Sequence, residues 1–404
     1  MTSFVPLRAA TADDLLDGLS GFDFQQRTRV IFGCGALEQL GTLANELEGH
    51  RILLVTDSGV RKAGHCDRVV KILAASGLES VVFDQVSENP TTDDVDECVA
   101  FAKPAGVDLI VGLGGGSSID CAKGANFLLT NGGLMEDYRG IGKATLPMLP
   151  MIGIPTTSGT GSEAQSFAVI ADSATHMKMA CGDWKAACRI AILDPELTIT
   201  MPRSVTTATG IDAMTHALES YVTTKRNMVS QMFAGKAWSL LSRAFPAVLH
   251  NPTDTGARGR MQLGAFLAGA AIENSMLGAV HAAANPLTAE FGTTHGIAVG
   301  LLMPHVIRWN SEVVESHYQA LLNEAGWATV DSSGTSAAEQ LAVGFTGLLK
   351  MAEMPVSLTE AVGRDLDETV IEGLAREASL QWTGTFNPRK MNTAAFEELY
   401  RNAM

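Results

Sequence analysis

The fold of this chain is decided by the stretch Asp108-Leu109-Ile110-Val111-Gly112-Leu113-Gly114-Gly115-Gly116-Ser117-Ser118-Ile119-Asp120. Its apolar first part predicts a buried β-strand, which runs into glycines and then into a helix. Glycine lets backbone N–H groups approach an anion closely, and a helix N-terminus adds a partial positive charge. The run of glycines followed by two serines therefore predicts a pyrophosphate site. A tight strand-to-helix turn is the alternative, because the run differs from the G-x-G-x-x-G fingerprint.

Short apolar runs on both sides of this stretch predict further strands. Several are apolar throughout, as strands buried on both faces of a parallel sheet should be. These runs cover residues 52–55, 81–83, 109–111, 151–154 and 190–193. Helical segments are predicted between them, over 59–76, 92–103 and 118–130. This alternation predicts a doubly wound α/β fold that binds its ligand at the carboxyl ends of the strands.

The pattern changes near Met201-Pro202, after which no further strand is predicted. Long segments rich in alanine and leucine predict helices over 206–224, 228–249, 257–284 and 296–309. We therefore divide the chain into an N-terminal extension (1–28), an α/β dinucleotide-binding domain with a mostly parallel sheet (29–202) and an all-α domain for metal and substrate (203–404). The first twenty or so residues are a candidate for disorder, and 331–336 is predicted to be a loop.

Composition excludes several classes of protein. The 404 residues carry 29 Lys and Arg against 44 Asp and Glu, a net charge of −15, which disfavours nucleic acid as a partner. No segment has the pattern of a signal peptide or the length of a membrane span. The six cysteines include no CxxC pair, as expected for reduced thiols. We therefore predict a cytoplasmic protein.

A second loop, Pro155-Thr156-Thr157-Ser158-Gly159-Thr160-Gly161-Ser162-Glu163, follows another predicted strand. Its hydroxyls and free N–H groups suit a phosphate, a ribose or a carboxamide, with an ordinary serine-threonine turn as the alternative. Asp57 ends the first predicted strand, where a carboxylate can bind a ribose hydroxyl and repel a 2′-phosphate. This favours NAD over NADP. Asp57 is equally suited to be the N-cap of the next helix.

The helical half contains a candidate metal site. Asp212 and His216 are four residues apart, hence on one face of a helix. His281 lies among alanines, and His295 comes just before another helical segment. One carboxylate and three imidazoles suit iron or zinc better than magnesium or calcium. The alternative is that these are hydrogen-bonded core residues.

These motifs together resemble the iron-containing (group III) alcohol dehydrogenases, from about Arg29 to the C-terminus. The two loops, Glu88-Asn89-Pro90-Thr91, Ile192-Leu193-Asp194-Pro195-Glu196 and Asn387-Pro388-Arg389 match family segments. The resemblance implies a dehydroquinate synthase-like architecture, bound NAD, and a homodimer or larger homo-oligomer. It implies one ion, Fe(II) or alternatively Zn(II), bound by Asp212, His216, His281 and His295. The cofactor contacts that it implies are Asp57, Asn89, Gly114, Gly115, Gly116, Ser117, Asp120, Thr156, Thr157, Ser158, Thr160, Lys178 and Leu197.

The sequence departs from the family pattern at one position. Asn285 stands where the family usually has a second histidine that relays protons, and an amide side chain does not titrate. Ile272 matches a position, often aromatic, that lines the substrate pocket. The resemblance implies an NAD(H)-linked alcohol dehydrogenase or aldehyde reductase for a small primary alcohol/aldehyde pair. Alternatives are a hydroxyacid–oxoacid transhydrogenase, a lyase like dehydroquinate synthase, and a non-catalytic NAD-binding protein.

Overall fold

Nine strands lie in the first half of the part of the chain that the structure describes. The computed structural model describes residues 21–175, 177–327 and 334–404. The strands are β1 (Arg29–Phe32), β2 (Arg51–Val55), β3 (Glu79–Phe83), β4 (Leu109–Gly114), β5 (Gly140–Ile141), β6 (Met151–Pro155), β7 (Phe167–Ala171), β8 (Lys178–Gly182) and β9 (Ile190–Leu193).

Six of these strands form one sheet in the order β1-β9-β6-β4-β2-β3, and every pairing in it is parallel. The two central strands β4 and β6 are buried at every residue, which explains their uninterrupted apolar character. All five predicted strands belong to this sheet, so the predicted fold class is confirmed. Two features were not predicted. The edge strand β1 pairs with β9, and β5, β8 and β7 form a second, smaller sheet.

Helices cover the sheet, and their bounds correct one prediction. The helices of this half are α1 (Leu40–Glu46), α2 (Ser58–Lys62), α3 (His65–Ala75), α4 (Thr92–Ala102) and α5 (Gly116–Asn131). The single helix predicted over 59–76 is wrong, because Gly64 has a φ of 86° and ends the helical geometry between α2 and α3. The start of α4 is set by a capping box, in which Thr91 and Asp94 satisfy each other's backbone N–H groups.

The second half is helical throughout its described residues, 203–327 and 334–404. Its helices are α6 (Arg203–Val222), α7 (Met228–His250), α8 (Thr255–Ser275), α9 (Ala279–Phe291), α10 (His295–Ala325), α11 (Ala337–Met351), α12 (Leu358–Val362), α13 (Glu368–Leu380) and α14 (Thr393–Asn402). The helix predicted over 257–284 is two helices, since Met276 has a φ of 75° and interrupts the helical backbone. The first twenty residues lie outside the described residues. The predicted loop at 331–336 lies partly outside them, because the description resumes at residue 334.

The helical half packs around α6, which contacts α7, α8 and α10. Its core contains large aromatic side chains, and the buried indole of Trp238 donates a hydrogen bond to the carbonyl of Leu321 (2.9 Å). Because α6 is enclosed by other helices, polar groups on it are removed from water and need partners. Among the described residues, no single helix has the length and hydropathy to cross a membrane, although α8 and α9 pass that test together as a pair bent by 107°.

Candidate functional site

One face of α6 carries three buried polar side chains. Asp212, His216 and Glu219 are spaced by four and three residues, so they line up along the helix. All three are less than a tenth exposed. The other buried residues of α6 are mostly apolar. Their packing keeps the whole helix, including its polar face, inside the helical half.

Two other helices bring histidines to this face at their first turns. His281 is the third residue of α9, and His295 is the first residue of α10. Their Nε2 atoms lie 3.5 Å and 3.8 Å from Oδ1 of Asp212, and Nε2 of His216 lies 3.4 Å from the same oxygen. The structure therefore brings together the four side chains that the spacing and the resemblance select. Three of them, Asp212, His216 and His281, offer ligand atoms within 4.8 Å of one another.

These four residues fit a divalent transition metal ion. Oδ1 of Asp212 and Nε2 of His281 are buried without a hydrogen-bond partner among the described residues, and such orphaned atoms are costly unless something binds them. Ligand atoms about 2.1 Å from a tetrahedral ion are about 3.4 Å apart, close to the distances between Oδ1 of Asp212 and the imidazole nitrogens.

The electrostatics favour an ionised Asp212 and the neutral form of two imidazoles, those of His216 and His295. Burial raises the pKa of Asp212, but His216, His281 and His295 outweigh it and hold that pKa well below the usual range. Burial lowers the pKa of His216, and burial together with Lys178 lowers that of His295. Burial also lowers the pKa of His281, but Glu219 and Asp212 overcome this effect and raise it to about 9.

The glycine loop joins β4 to α5 as its sequence predicts. Gly114 has a φ of 147°, and α5 begins at Gly116 without a side-chain cap, so its first N–H groups remain open to an anion. A Cβ on Gly116 would lie 2.6 Å from the Thr160 side chain, and one on Gly115 would lie 3.4 Å from Thr157. The glycines therefore allow the two predicted cofactor loops to pack against each other.

Asp57 and Asn89 lie beside this loop, at the carboxyl ends of the parallel strands. One oxygen of Asp57 accepts from the N–H groups of Gly59 (2.9 Å) and Val60 (3.0 Å), so it is the N-cap of α2. Its other oxygen accepts from Oγ of Ser118 (3.1 Å). The backbone N–H of Asn89 donates to Oγ of Ser117 (3.3 Å). Contacts of these residues with a cofactor stay predictions.

Other residues that the resemblance assigns to the cofactor also interact within the chain. Asp120 accepts a hydrogen bond from Oγ of Ser162 and another from the N–H of Val169 (3.1 Å). Leu197 has no exposed surface and packs in the core beneath the sheet. Burial lowers the pKa of Lys178, which interacts electrostatically with Asp212 and so lies towards the metal ligands. In the second loop, Thr156 and Ser158 are buried, whereas Thr157 and Thr160 keep exposed surface.

Asn285 lies one helical turn beyond His281 on α9, and its amide nitrogen donates to Oε1 of Gln381 (3.1 Å). Ile272 lies near the end of α8 and is almost fully buried. Gln381 and Glu219 were not selected from the sequence. The spacing of Glu219 from Asp212 and His216 on α6 was the signal that could have identified it, whereas nothing local distinguishes Gln381.

Candidate metal ligands in a helical half, next to two loops at the end of a parallel sheet, are the arrangement expected of a metal-dependent enzyme that binds a dinucleotide. Comparison with known families agrees. The model described as "Iron-containing alcohol dehydrogenase" matches residues 27–195, and that of the "Fe-containing alcohol dehydrogenase family, C-terminal" matches residues 206–404. The chain belongs to the iron-containing alcohol dehydrogenase family, and the predicted family and enzyme class are confirmed.

Individual relatives span nearly the whole chain. An NAD-dependent methanol dehydrogenase of Bacillus methanolicus is 33% identical over 374 residues, which are 93% of this chain and 97% of that protein. A crystal structure of 1,3-propanediol oxidoreductase has a TM-score of 0.90 at 32% identity, over 95% of this chain and all of the other. Sulfoacetaldehyde reductase from Bifidobacterium kashiwanohense, solved with NAD+, has a TM-score of 0.84 at 25% identity, over 95% and 99%.

Proposed function

We propose that the protein transfers hydride reversibly between NAD(H) and a small primary alcohol/aldehyde pair. The observation that carries this proposal is the convergence of Asp212, His216, His281 and His295 on one buried point. The dependence of the methanol dehydrogenase relative on NAD, and the NAD+ bound to the sulfoacetaldehyde reductase, support the choice of cofactor. Asp57 supports NAD over NADP, because its carboxylate would repel a 2′-phosphate.

Each group of residues has a separate task in this proposal. Asp212, His216, His281 and His295 hold one Fe(II) or Zn(II) ion. When bound, the ion supplies Lewis-acid stabilisation of negative charge on the substrate oxygen. The glycine loop binds the pyrophosphate of the cofactor through its free N–H groups, and the second loop orients the rest of the cofactor. Buried side chains around the four ligands exclude water from the reacting atoms.

The proton that accompanies hydride transfer needs a route that avoids Asn285. Its amide does not titrate in water, and in the structure it donates to Gln381. We infer that the proton passes through water, a ribose hydroxyl or another side chain. The Asn285–Gln381 pair instead offers neutral hydrogen-bonding groups near the metal ligands, as suits a substrate with an additional polar group.

We also propose that the enzyme is cytoplasmic and forms a homodimer or a larger homo-oligomer, with a small-molecule substrate and no nucleic acid or membrane partner. The net charge of −15 supports the absence of a nucleic-acid partner. The family supports the oligomer. Sedimentation velocity on the purified chain measures the oligomeric state, and a monomer at micromolar concentration would contradict this part of the proposal.

The function is tested by following NADH oxidation with a panel of short aldehydes. One preparation is stripped with a chelator, and portions of it are reloaded anaerobically with Fe(II) or Zn(II). We expect activity only in the reloaded samples. His281→Ala should lose turnover and retain NADH binding, measured by fluorescence. Metal-independent activity, or full activity of His281→Ala, would overturn the role given to the cluster. In the opposite direction, with a short alcohol and NAD+, failure to release NADH would instead favour a transhydrogenase.

A further inference from the structure

Glu219 connects the metal ligand His281 to the backbone that presents it. Oε2 of Glu219 lies 2.6 Å from Nδ1 of His281, and Oε1 accepts from the backbone N–H of Val280 at 2.7 Å. The carboxylate is only 3% exposed. It therefore holds both the imidazole ring and the first turn of α9, although it belongs to α6.

The approach of Glu219 to α9 depends on the residue that precedes this helix. A Cβ on Gly278 would lie 2.9 Å from Oε1 of Glu219 and 3.1 Å from Oδ1 of Asn387. Both oxygens accept hydrogen bonds from the first turn of α9, the second from the N–H of Ala279 (3.3 Å). The absence of a side chain at residue 278 thus allows two polar side chains to bind the N–H groups that begin this helix.

The contact also sets the tautomer of His281. A carboxylate can only accept, so the hydrogen between Glu219 and His281 belongs to Nδ1 of the ring. The other nitrogen, Nε2, then carries the lone pair in the neutral imidazole, and it is the atom 3.5 Å from Oδ1 of Asp212. The orientation of the ring and the position of its lone pair therefore both follow from Glu219.

His281 differs in this respect from the other two imidazoles. Within 21–175, 177–327 and 334–404, no carboxylate is hydrogen-bonded to Nδ1 of His216 or of His295. Carboxylate–histidine–metal arrangements of this kind raise the basicity of the ligand and hold it in place. Only one of the three imidazoles has this support in the described structure, so its removal should affect one ligand specifically.

We propose that Glu219 is a positioning residue that fixes the tautomer and orientation of His281, and thereby sets the affinity of the site for its divalent ion. This inference rests on the proposed function in one respect, that His281 is a ligand. Glu219 itself touches neither substrate nor cofactor. Replacement by glutamine should be sufficient to disturb the site, because glutamine has one acceptor where the structure requires two. Its NH₂ group would face a donor, either Nδ1–H of His281 or the N–H of Val280.

The test measures metal affinity, using Co(II) and Zn(II) as probes. Glu219→Gln is purified, stripped and titrated against a chromophoric chelator, and the visible absorption of its Co(II) form is recorded. We expect the dissociation constant to rise by about 10- to 100-fold, as for other outer carboxylates of metal sites, with an altered Co(II) spectrum. NADH binding should be unchanged and serves as the measure of folding.

Glu273→Gln is the matched control. Glu273 on α8 also accepts two hydrogen bonds, from the N–H (3.0 Å) and Oγ (2.5 Å) of Ser166, but it contacts none of the four ligands. It should therefore retain the affinity and the Co(II) spectrum of the unmodified protein. If Glu219→Gln does not fold, Glu219→Asp replaces it, since the shorter side chain keeps two acceptors and should weaken binding less.

Unchanged Co(II) affinity and spectrum in Glu219→Gln or, if that does not fold, in Glu219→Asp would overturn the inference. Equal losses in Glu219→Gln and Glu273→Gln would also overturn it, because a general loss of stability would then explain both. His281→Ala separates this failure from failure of the proposed function. If His281→Ala binds Co(II) normally, the proposed metal site is itself wrong. If His281→Ala loses Co(II) binding but Glu219→Gln keeps it, only the role of Glu219 is contradicted.

Discussion

The contact between the second cofactor loop and α8 provides a sharp test of how the two halves of the chain meet. Gly161 in that loop and Gly269 on α8 touch through backbone atoms. A Cβ added at Gly269 would lie 2.4 Å from the carbonyl oxygen of Gly161 and 2.9 Å from its Cα. Ordinary van der Waals contact begins near 3.4 Å. Gly269→Ala therefore requires the loop to move from the helix by about 1 Å.

The expected cost follows from the atoms involved. Both are backbone atoms, so no rotamer change can relieve the overlap, and overpacking of this kind costs about 1–3 kcal/mol. Alanine recovers about 1 kcal/mol through its better helix propensity. We expect the free energy of unfolding of Gly269→Ala to fall by up to about 2 kcal/mol and its thermal midpoint to fall by a few degrees. The loop carries Thr157 and Thr160, and a displacement of about 1 Å should lower kcat/KM for NADH by up to about 100-fold.

Differential scanning fluorimetry and steady-state kinetics measure these effects. Gly347→Ala is the control, because Gly347 lies on the exposed side of α11 with no atom within 4 Å of the added Cβ. The free energy of unfolding of this control should rise by up to about 1 kcal/mol, and its kinetics should be unchanged. If Gly269→Ala behaves like Gly347→Ala in both assays, the loop does not pack as closely on α8 as the structure shows.

Three further predictions concern buried and titrating groups. Burial raises the pKa of Glu163 to about 7 from its usual 4.5, so the stability that it contributes is present below pH 4.5 and is lost as pH rises through 7. Relative to Glu163→Gln, the unmodified protein should lose up to about 3 kcal/mol of unfolding free energy between pH 4.5 and 8, measured by thermal melts. A difference in stability between the two proteins that does not change with pH would contradict this. Nζ of the fully buried Lys123 lies within hydrogen-bond distance of four oxygens of the segment 162–167, so Lys123→Met should lower the free energy of unfolding in urea by about several kcal/mol and raise KM for NADH. An unchanged midpoint would show that these bonds are dispensable. Asn285, which donates to Gln381, does not titrate, so Asn285→His should introduce a pH dependence of kcat near about pH 6.5. Identical pH profiles of the variant and the unmodified enzyme would exclude a relay at this position.

The parallel sheet could be predicted because its inner strands β4, β6 and β9 are buried on both faces. The runs in β4 and β6 are apolar at nearly every position, and this requirement is visible locally. Strands β7 and β8 are partly exposed and include Lys178, so they lack that signal and exist through pairing with each other. The interruption between α8 and α9 was missed for a related reason. A positive φ at Met276 is imposed by packing, since this residue type does not favour it.

The candidate metal site shows the same division. The sequence by itself determined the chemistry, because the residue types and the four-residue spacing of Asp212 and His216 on one helix are local properties. It also determined that a helix follows the glycine loop, predicted from residue 118 and observed from Gly116. Only the tertiary structure decided that His281 and His295 reach the same oxygen of Asp212, and that Glu219 supports His281. It likewise decided that Asp120, a residue of the glycine motif, bonds to the neighbouring loop. These contacts join distant segments, and they depend on how whole helices pack, which no local pattern encodes.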